Sequence, residues 1–301
     1  MRSSHSYHVG RLALVALAIS VAMASCARSS PVSPTPPLSA PTQARTAVAI
    51  ISIDGLRPDA VVSGRAPNIL ALTGRGAYSW RAQTILPSNT LPAHVSMLTG
   101  FLPAAHGVTW DDYQPSRGQI LVPTLFNAAR AAGRRTALFA GKEKFTHFRD
   151  SGCCDVWQYS TGGDQDLAGQ ASAEASAGID LLVVHLPDVD LAGHANQWMS
   201  EGYLAAVKRA DDAVGRIVAS LPPYATLIVT ADHGGHPTGH GSADPLDTTI
   251  PWIIVGPTIV QGRELSSPIS TVDTAATAAY VLGISLPAGA TGRPVLEAFD
   301  R

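Results

Sequence analysis

The feature that most constrains the fold is a set of three short, unbroken apolar runs, each expected to run directly into an aspartate. They read IISIDG to Asp54, LLVVHLPDVD to Asp190 and LIVTADHG to Asp232. A run that is apolar at every position, rather than at every second one, suits a strand covered on both faces, as in a parallel sheet. The runs 48–53, 179–186 and 226–230 are therefore expected to be central strands, with 136–140 and 251–255 as further ones. Helical periodicity separates them. Over 201–220 the apolar residues Tyr203, Val207, Ala210, Val214, Ile217 and Leu221 step by four and three, leaving Lys208, Arg209, Asp211 and Asp212 to a solvated face. Helices are also expected over 67–75, 92–99, 124–132 and 273–282. The fold class is α/β: one domain over 47–301 with a largely parallel sheet and helices on both faces.

The front of the chain reads as an address. Arg2 and Arg11 flank a basic start, and the apolar run 12–23 is shorter than the ~20 residues a membrane span needs. It has the proportions of a signal-peptide core. It ends in Met23-Ala24-Ser25-Cys26, similar to a bacterial lipobox, so residues 1–26 are expected to export the chain, either anchored through a lipid on Cys26 at the periplasmic face of the envelope or secreted after cleavage at a small residue. Residues 27–46, rich in proline and serine, form a tether, because proline lacks the amide donor that helix and sheet require. With Lys+Arg at 21 against Asp+Glu at 23, the formal charge of −2 leaves no broad basic face for nucleic acid. Three cysteines do not make a disulfide scaffold, and the adjacent Cys153 and Cys154 read as incidental loop thiols. Neither GxGxxG nor GxxxxGK[ST] occurs, which argues against dinucleotide and P-loop sites.

In open α/β sheets the ligand crevice lies beyond the carboxyl ends of the strands. Asp54, Asp190 and Asp232 emerging there would repel one another strongly unless cations sat among them. Histidines accompany them: His194 in DLAGH, and His233, His236 and His240 in DHGGHPTGHG. Mixed aspartate and histidine donors suit zinc or a similar divalent ion. A single aspartate after a strand is usually a turn or cap residue, but coincidence explains Asp54, Asp190, His194, Asp232, His233 and His240 together poorly. His185, inside an apolar strand, is better read as a hydrogen-bonded support. His94, His106 and His147 are set down as structural, and His236 competes with His240 for one ligand position.

A hydroxyl stands nearby. In ILPSNTLPAHVSMLTG, Thr90 precedes Pro92, a residue favoured in the first turn of a helix. Alone it would be read as a helix N-cap. Beside a cation cluster, a hydroxyl at a helix N-terminus is a candidate nucleophile, since the ion lowers its pKa and the amides attract an anion. Ser88 and Thr99 lack this position.

The ordered set DG at 54–55, TLPAH at 90–94, DLAGH at 190–194, DHGG at 232–235 and HG at 240–241 resembles the alkaline phosphatase superfamily, nearest its type I phosphodiesterase/nucleotide pyrophosphatase branch, over the whole domain from about residue 47. The resemblance implies one zinc held by Asp54, Thr90, Asp232 and His233, and a second by Asp190, His194 and His240. It makes Thr90 the nucleophile of a phosphothreonine-type intermediate and a small phosphate ester or nucleotide-like molecule the substrate. Where the family often places an asparagine that donates to phosphate, this chain has Asp111, a phosphate-proximal residue expected to tune the substrate. An ionised Asp111 would cut a site charge of +1 (two divalent ions, three aspartates) to zero. No CxPxR is present for a sulfatase nucleophile. Lys142 and Lys144 in GKEKF are candidates for phosphate contact or for a solvated loop. A phosphomonoesterase or phosphonate hydrolase with the same metals, and a non-catalytic zinc- or phosphate-binding lipoprotein, are the rival functions.

Overall fold

The computed structural model describes residues 45–300. The segments expected to act as signal peptide, lipid-anchored Cys26 and nearly all of the tether lie outside them. Eight strands form one sheet: β1 (Ala47–Ile53), β2 (Ala77–Gln83), β3 (Thr136–Ala140), β4 (Val156–Tyr159), β5 (Leu181–Leu186), β6 (Ala225–Thr230), β7 (Thr249–Val255) and β8 (Arg263–Glu264). Their order is β4-β3-β5-β1-β6-β7-β2-β8, and only β7 runs against its neighbours. The three acid-linked runs are the adjacent strands β5, β1 and β6 at the centre. Every residue of β1 and β5 is buried, which requires cover on both faces.

Helices of seven or more residues supply that cover: α1 (Pro67–Arg75), α2 (Thr90–Thr99), α3 (Leu125–Ala131), α4 (Gly163–Ser176), α5 (Asp188–Asn196), α6 (Glu201–Ser220) and α7 (Asp273–Leu282). One layer joins α1, α4 and α5 to α6, and the other joins α2 and α3 to α7. The apolar stripe of α6 is buried as its periodicity implies, from Tyr203 through Ile217.

Four expectations are corrected. Asp190 does not end its strand; it lies in the first turn of α5, beyond Leu186 and Pro187. Thr90 is the first residue of α2 rather than its cap, a position taken by Asn89. Asp211 is buried instead of solvated. Its carboxylate accepts hydrogen bonds from the backbone N–H of Asn68 (3.1 Å) and Ile69 (2.8 Å), so it serves as the N-terminal partner that α1 lacks in its own sequence. Lys142 and Lys144 are not a solvated loop, as their contacts below make plain.

Candidate active site

The parallel register aligns the carboxyl ends of β3, β5, β1 and β6. Ile53 pairs with Leu186, Ser52 with Thr230 and Ala140 with His185. The segments leaving these strands therefore carry Lys142, Asp190, Asp54 and Asp232 to one crevice. Gly55 turns the chain after Asp54 with φ +70°, a left-handed conformation that disfavours a side chain. Its amide donates to Asp232 Oδ1 (3.2 Å) and its carbonyl accepts from Trp198 Nε1 (2.9 Å) and the Tyr203 hydroxyl (3.0 Å). Trp198 in turn packs edge-on to His194 and so close to Gly235 that a Cβ there would lie 2.2 Å from the indole.

The three aspartates share one arrangement. Asp232 Oδ1 accepts from the backbone of Gly55 and His233. Asp54 Oδ2 takes His185 Nε2–H at 2.7 Å and Lys142 Nζ at 2.7 Å, and Asp190 Oδ2 takes Lys142 Nζ at 2.6 Å. The other oxygen of each, Asp54 Oδ1, Asp190 Oδ1 and Asp232 Oδ2, is buried with no hydrogen-bond partner. Buried carboxylate oxygens are costly when unpaired, and these three face one cluster of donors.

The histidines match them. His233, His194 and His240 each donate Nδ1–H to a backbone carbonyl, of Gly234 (2.7 Å), Thr238 (2.7 Å) and Ser88 (2.9 Å). That fixes the tautomer and leaves each Nε2 lone pair free, the arrangement that orients metal-binding imidazoles. His233 Nε2 lies 3.2 Å from Asp54 Oδ1 and 3.3 Å from Asp232 Oδ2. His194 and His240 approach Asp190 Oδ1 at 3.3 Å and 3.6 Å. Two groups result, Asp54/Asp232/His233 and Asp190/His194/His240, each with ligand atoms within 4.8 Å of one another. The donor set and the orphaned oxygens fit two divalent cations. His236 is instead engaged by Asp247 at 2.8 Å, which leaves His240 at the site.

Charges in the cluster perturb one another. Burial opposes ionisation of Asp54, yet Lys142 and His185 hold its carboxyl well below the usual range. Burial, then the Asp54 charge, pushes Asp232 up to about 8. Burial works against a charged His233, but Asp232 and Asp54 outweigh it and raise its pKa to about 10. The adjacent Asp190 carboxylate raises His194, whereas burial and the neighbouring His233 push His240 down to about 4. Desolvation disfavours the Lys142 ammonium, but Asp54 and Asp190 more than compensate and raise its pKa.

Thr90 is fully buried, with Oγ1 3.3 Å from His233 Nε2 and 3.4 Å from Lys142 Nζ. His94 Nδ1–H donates to the Thr90 carbonyl at 2.8 Å, and Ser52 donates to His94 Nε2 at 2.8 Å, so His94 ties the start of α2 to β1. Ser88 bonds Ser242 and Gly241, and Thr99 bonds the Val95 carbonyl, so neither rival hydroxyl faces the cluster. Asp111 Oδ1 accepts from the Leu91 amide at 2.7 Å, one residue from Thr90, and its other oxygen accepts from Lys144 at 2.7 Å. The negative charge expected to oppose phosphate is therefore already paired. His106 bonds Ser96 and Val108, and His147 the loop at 110–118, both structural. Sequence reasoning missed Trp198 and Tyr203, whose role depends on a loop in which Gln197 and Met199 adopt positive φ.

Comparison with known proteins agrees with this geometry. The profile of the family described as type I phosphodiesterase / nucleotide pyrophosphatase matches residues 48–253. An uncharacterised pyrophosphatase/phosphodiesterase of Schizosaccharomyces pombe is 25% identical over 227 residues, 64% of this chain and 46% of the relative. The structure of human ectonucleotide pyrophosphatase / phosphodiesterase 5 superposes with a TM-score of 0.72 at 14% identity, covering 85% of this chain and all (100%) of that one. A protein in the alkaline phosphatase superfamily from Vibrio parahaemolyticus gives 0.66 at 20% identity, over 85% and 71% of the two chains. At such identities the superpositions show the fold. This chain spans less than half the length of curated relatives it matches. On the match over most of its length, the chain belongs to the type I phosphodiesterase / nucleotide pyrophosphatase family.

Proposed function

We propose that the chain is an exported two-zinc hydrolase that cleaves phosphodiester or pyrophosphate bonds of a small phosphate ester or nucleotide-like substrate through a phosphothreonine intermediate. The observation that carries this reading is the match between three orphaned carboxylate oxygens and three preset Nε2 lone pairs beside a buried threonine hydroxyl. Asp54, Asp232, His233 and the Thr90 hydroxyl would hold one ion, and Asp190, His194 and His240 the other. Bound there, the pair would lower the pKa of the hydroxyl and neutralise charge that builds on the phosphoryl oxygens. His94 holds the Thr90 backbone while Oγ1 attacks phosphorus in line with the departing oxygen. Lys142 Nζ, a donor to Thr90 Oγ1, stabilises negative charge on that oxygen in the second step, when water attacks phosphorus, the P–Oγ1 bond breaks and the threonine is regenerated. Export and lipid anchoring at Cys26 belong to the same reading, supported by the 12–23 apolar run and the Met23–Cys26 sequence.

The test is hydrolysis of bis(4-nitrophenyl) phosphate and 4-nitrophenyl phosphate by the zinc-loaded protein, with and without chelator. Chelator-sensitive turnover with the diester ahead is expected, and Thr90→Ala is expected to reduce kcat by about a thousandfold or more. A faster monoester reaction would place the protein on the phosphatase side. Unimpaired ligand affinity in Thr90→Ala, with no turnover by the wild type, would make it a binding protein.

A further inference from the structure

Two lysines of one short segment reach the crevice, and they are neutralised differently. Lys142 lies between Asp54 and Asp190. Lys144, on the turn Glu143–Phe145, pairs with Asp111 at 2.7 Å, and the two side chains are only 14% and 28% exposed. Phe145, directly after Lys144, is wholly buried against His94 and His185, which fixes the direction of the turn. Asp111 is equally fixed. Its loop is fastened by Trp110 Nε1 and the Gln114 amide, both donating to His147 Nε2 at 3.3 Å and 3.1 Å, and by the Tyr113 hydroxyl on Asp150 at 2.9 Å. Asp111 Oδ1 then occupies the Leu91 amide at 2.7 Å, beside the Thr90 nucleophile.

We infer that the Asp111–Lys144 ion pair sets the charge class of the substrate, cancelling a positive charge next to Thr90 and so fitting the site to a monoanionic phosphodiester rather than a dianionic monoester. The inference rests on the proposed hydrolase reading. A fixed charge acts on a dianion with about twice the energy it exerts on a monoanion, and in a partly desolvated crevice that difference is not screened away. Without the Asp111 charge, Lys144 would present an unpaired ammonium to the phosphoryl group.

Ratios of kcat/KM for bis(4-nitrophenyl) phosphate over 4-nitrophenyl phosphate test this in the wild type, Asp111→Asn, Lys144→Gln and the double variant. The amide oxygen of Asp111→Asn still accepts from Leu91, so a purely structural role as helix partner predicts no change in the ratio. The expected result is a wild type that prefers the diester and an Asp111→Asn variant shifted toward the monoester by about tenfold or more. Lys144→Gln should not gain monoester activity, and the double variant should return toward the wild-type ratio because its pair is again neutral. An unchanged ratio in Asp111→Asn, or a double variant that keeps the shift, overturns the inference alone, whereas a wild type that prefers the monoester overturns the phosphodiesterase reading as well. A wild type that cleaves neither ester overturns the functional reading and this inference with it.

Discussion

Each site aspartate divides its two oxygens between scaffold and crevice. Backbone amides, His185 or Lys142 hold one, and the other is left without a partner. Among the described residues the Lys142 ammonium is the one fixed cation touching both candidate ligand groups, with contacts to Asp54 and Asp190. Lys142→Met would remove it and leave two buried carboxylates with less compensation. Thermal unfolding in chelator is expected to shift several degrees down in this variant, with a larger gain on adding zinc than the wild type shows. An equal gain in both proteins would mean that Lys142 does not compensate the metal cluster. Much at this scale was legible in the sequence. The residues Asp54, Thr90, Asp190, His194, Asp232 and His233 stand out by type and position, His240 is set ahead of His236 only by the family resemblance, and the structure brings all seven together. Lys142 did not stand out against a charged loop, because a lysine two residues past a strand carries no periodic signal. Trp198 was invisible for a different reason: it acts by filling the space that Gly193 and Gly235 leave, a relation that exists only in three dimensions.

Among the helices, two acids decide more than their sequence positions suggest. Asp211 sits on α6 where periodicity implies solvent, yet it accepts from the amides at the start of α1, whose own cap residue is Ala66. Asp211→Ala should therefore cost about 2–3 kcal/mol in denaturant unfolding, since it orphans buried donors. A change within about 0.5 kcal/mol would match an ordinary surface position instead. Asp164 and Asp188 exchange backbone–carboxylate hydrogen bonds at the starts of α4 and α5, but Asp164 Oδ2 has no partner. Burial, then the nearby Asp188 charge, pushes the Asp164 carboxyl up to about 8 from an ordinary 3.8. A raised carboxyl keeps its proton in the fold where the unfolded chain has lost it. Its contribution is full below about pH 4 and declines as pH rises toward about 8. Asp164→Asn should accordingly gain stability relative to wild type between pH 5 and pH 9, read from unfolding midpoints at the two values; a constant difference would contradict the raised pKa. Helices α4 and α5 escaped the sequence reading because α4 buries mainly alanines on a weakly contrasted face, and α5 carries Asp190 and His194 in place of an apolar stripe.

Across the whole molecule, one parallel register determines the site. Adjacent strands β3, β5, β1 and β6 deliver one cation and three carboxylates to a single edge of the sheet. The central strands were readable because both faces are buried. Strands β2, β4 and β8 lie toward the sheet's edges with polar or half-exposed residues, and their short or mixed sequences resemble loops. Because carboxylates so close together oppose folding, divalent ions at a hundredfold excess over Kd should raise the unfolding midpoint by about 5–10 °C, with chelator reversing the gain. On the proposed function, two bound divalent ions and Thr90 together give phosphodiester hydrolysis. Its most direct test is to measure bis(4-nitrophenyl) phosphate turnover against the number of zinc ions bound per chain, counted by elemental analysis. Turnover should rise to a maximum at two ions per chain and be absent in the metal-free protein. Full turnover in metal-free protein, or two bound ions with no turnover of either nitrophenyl ester, would contradict it.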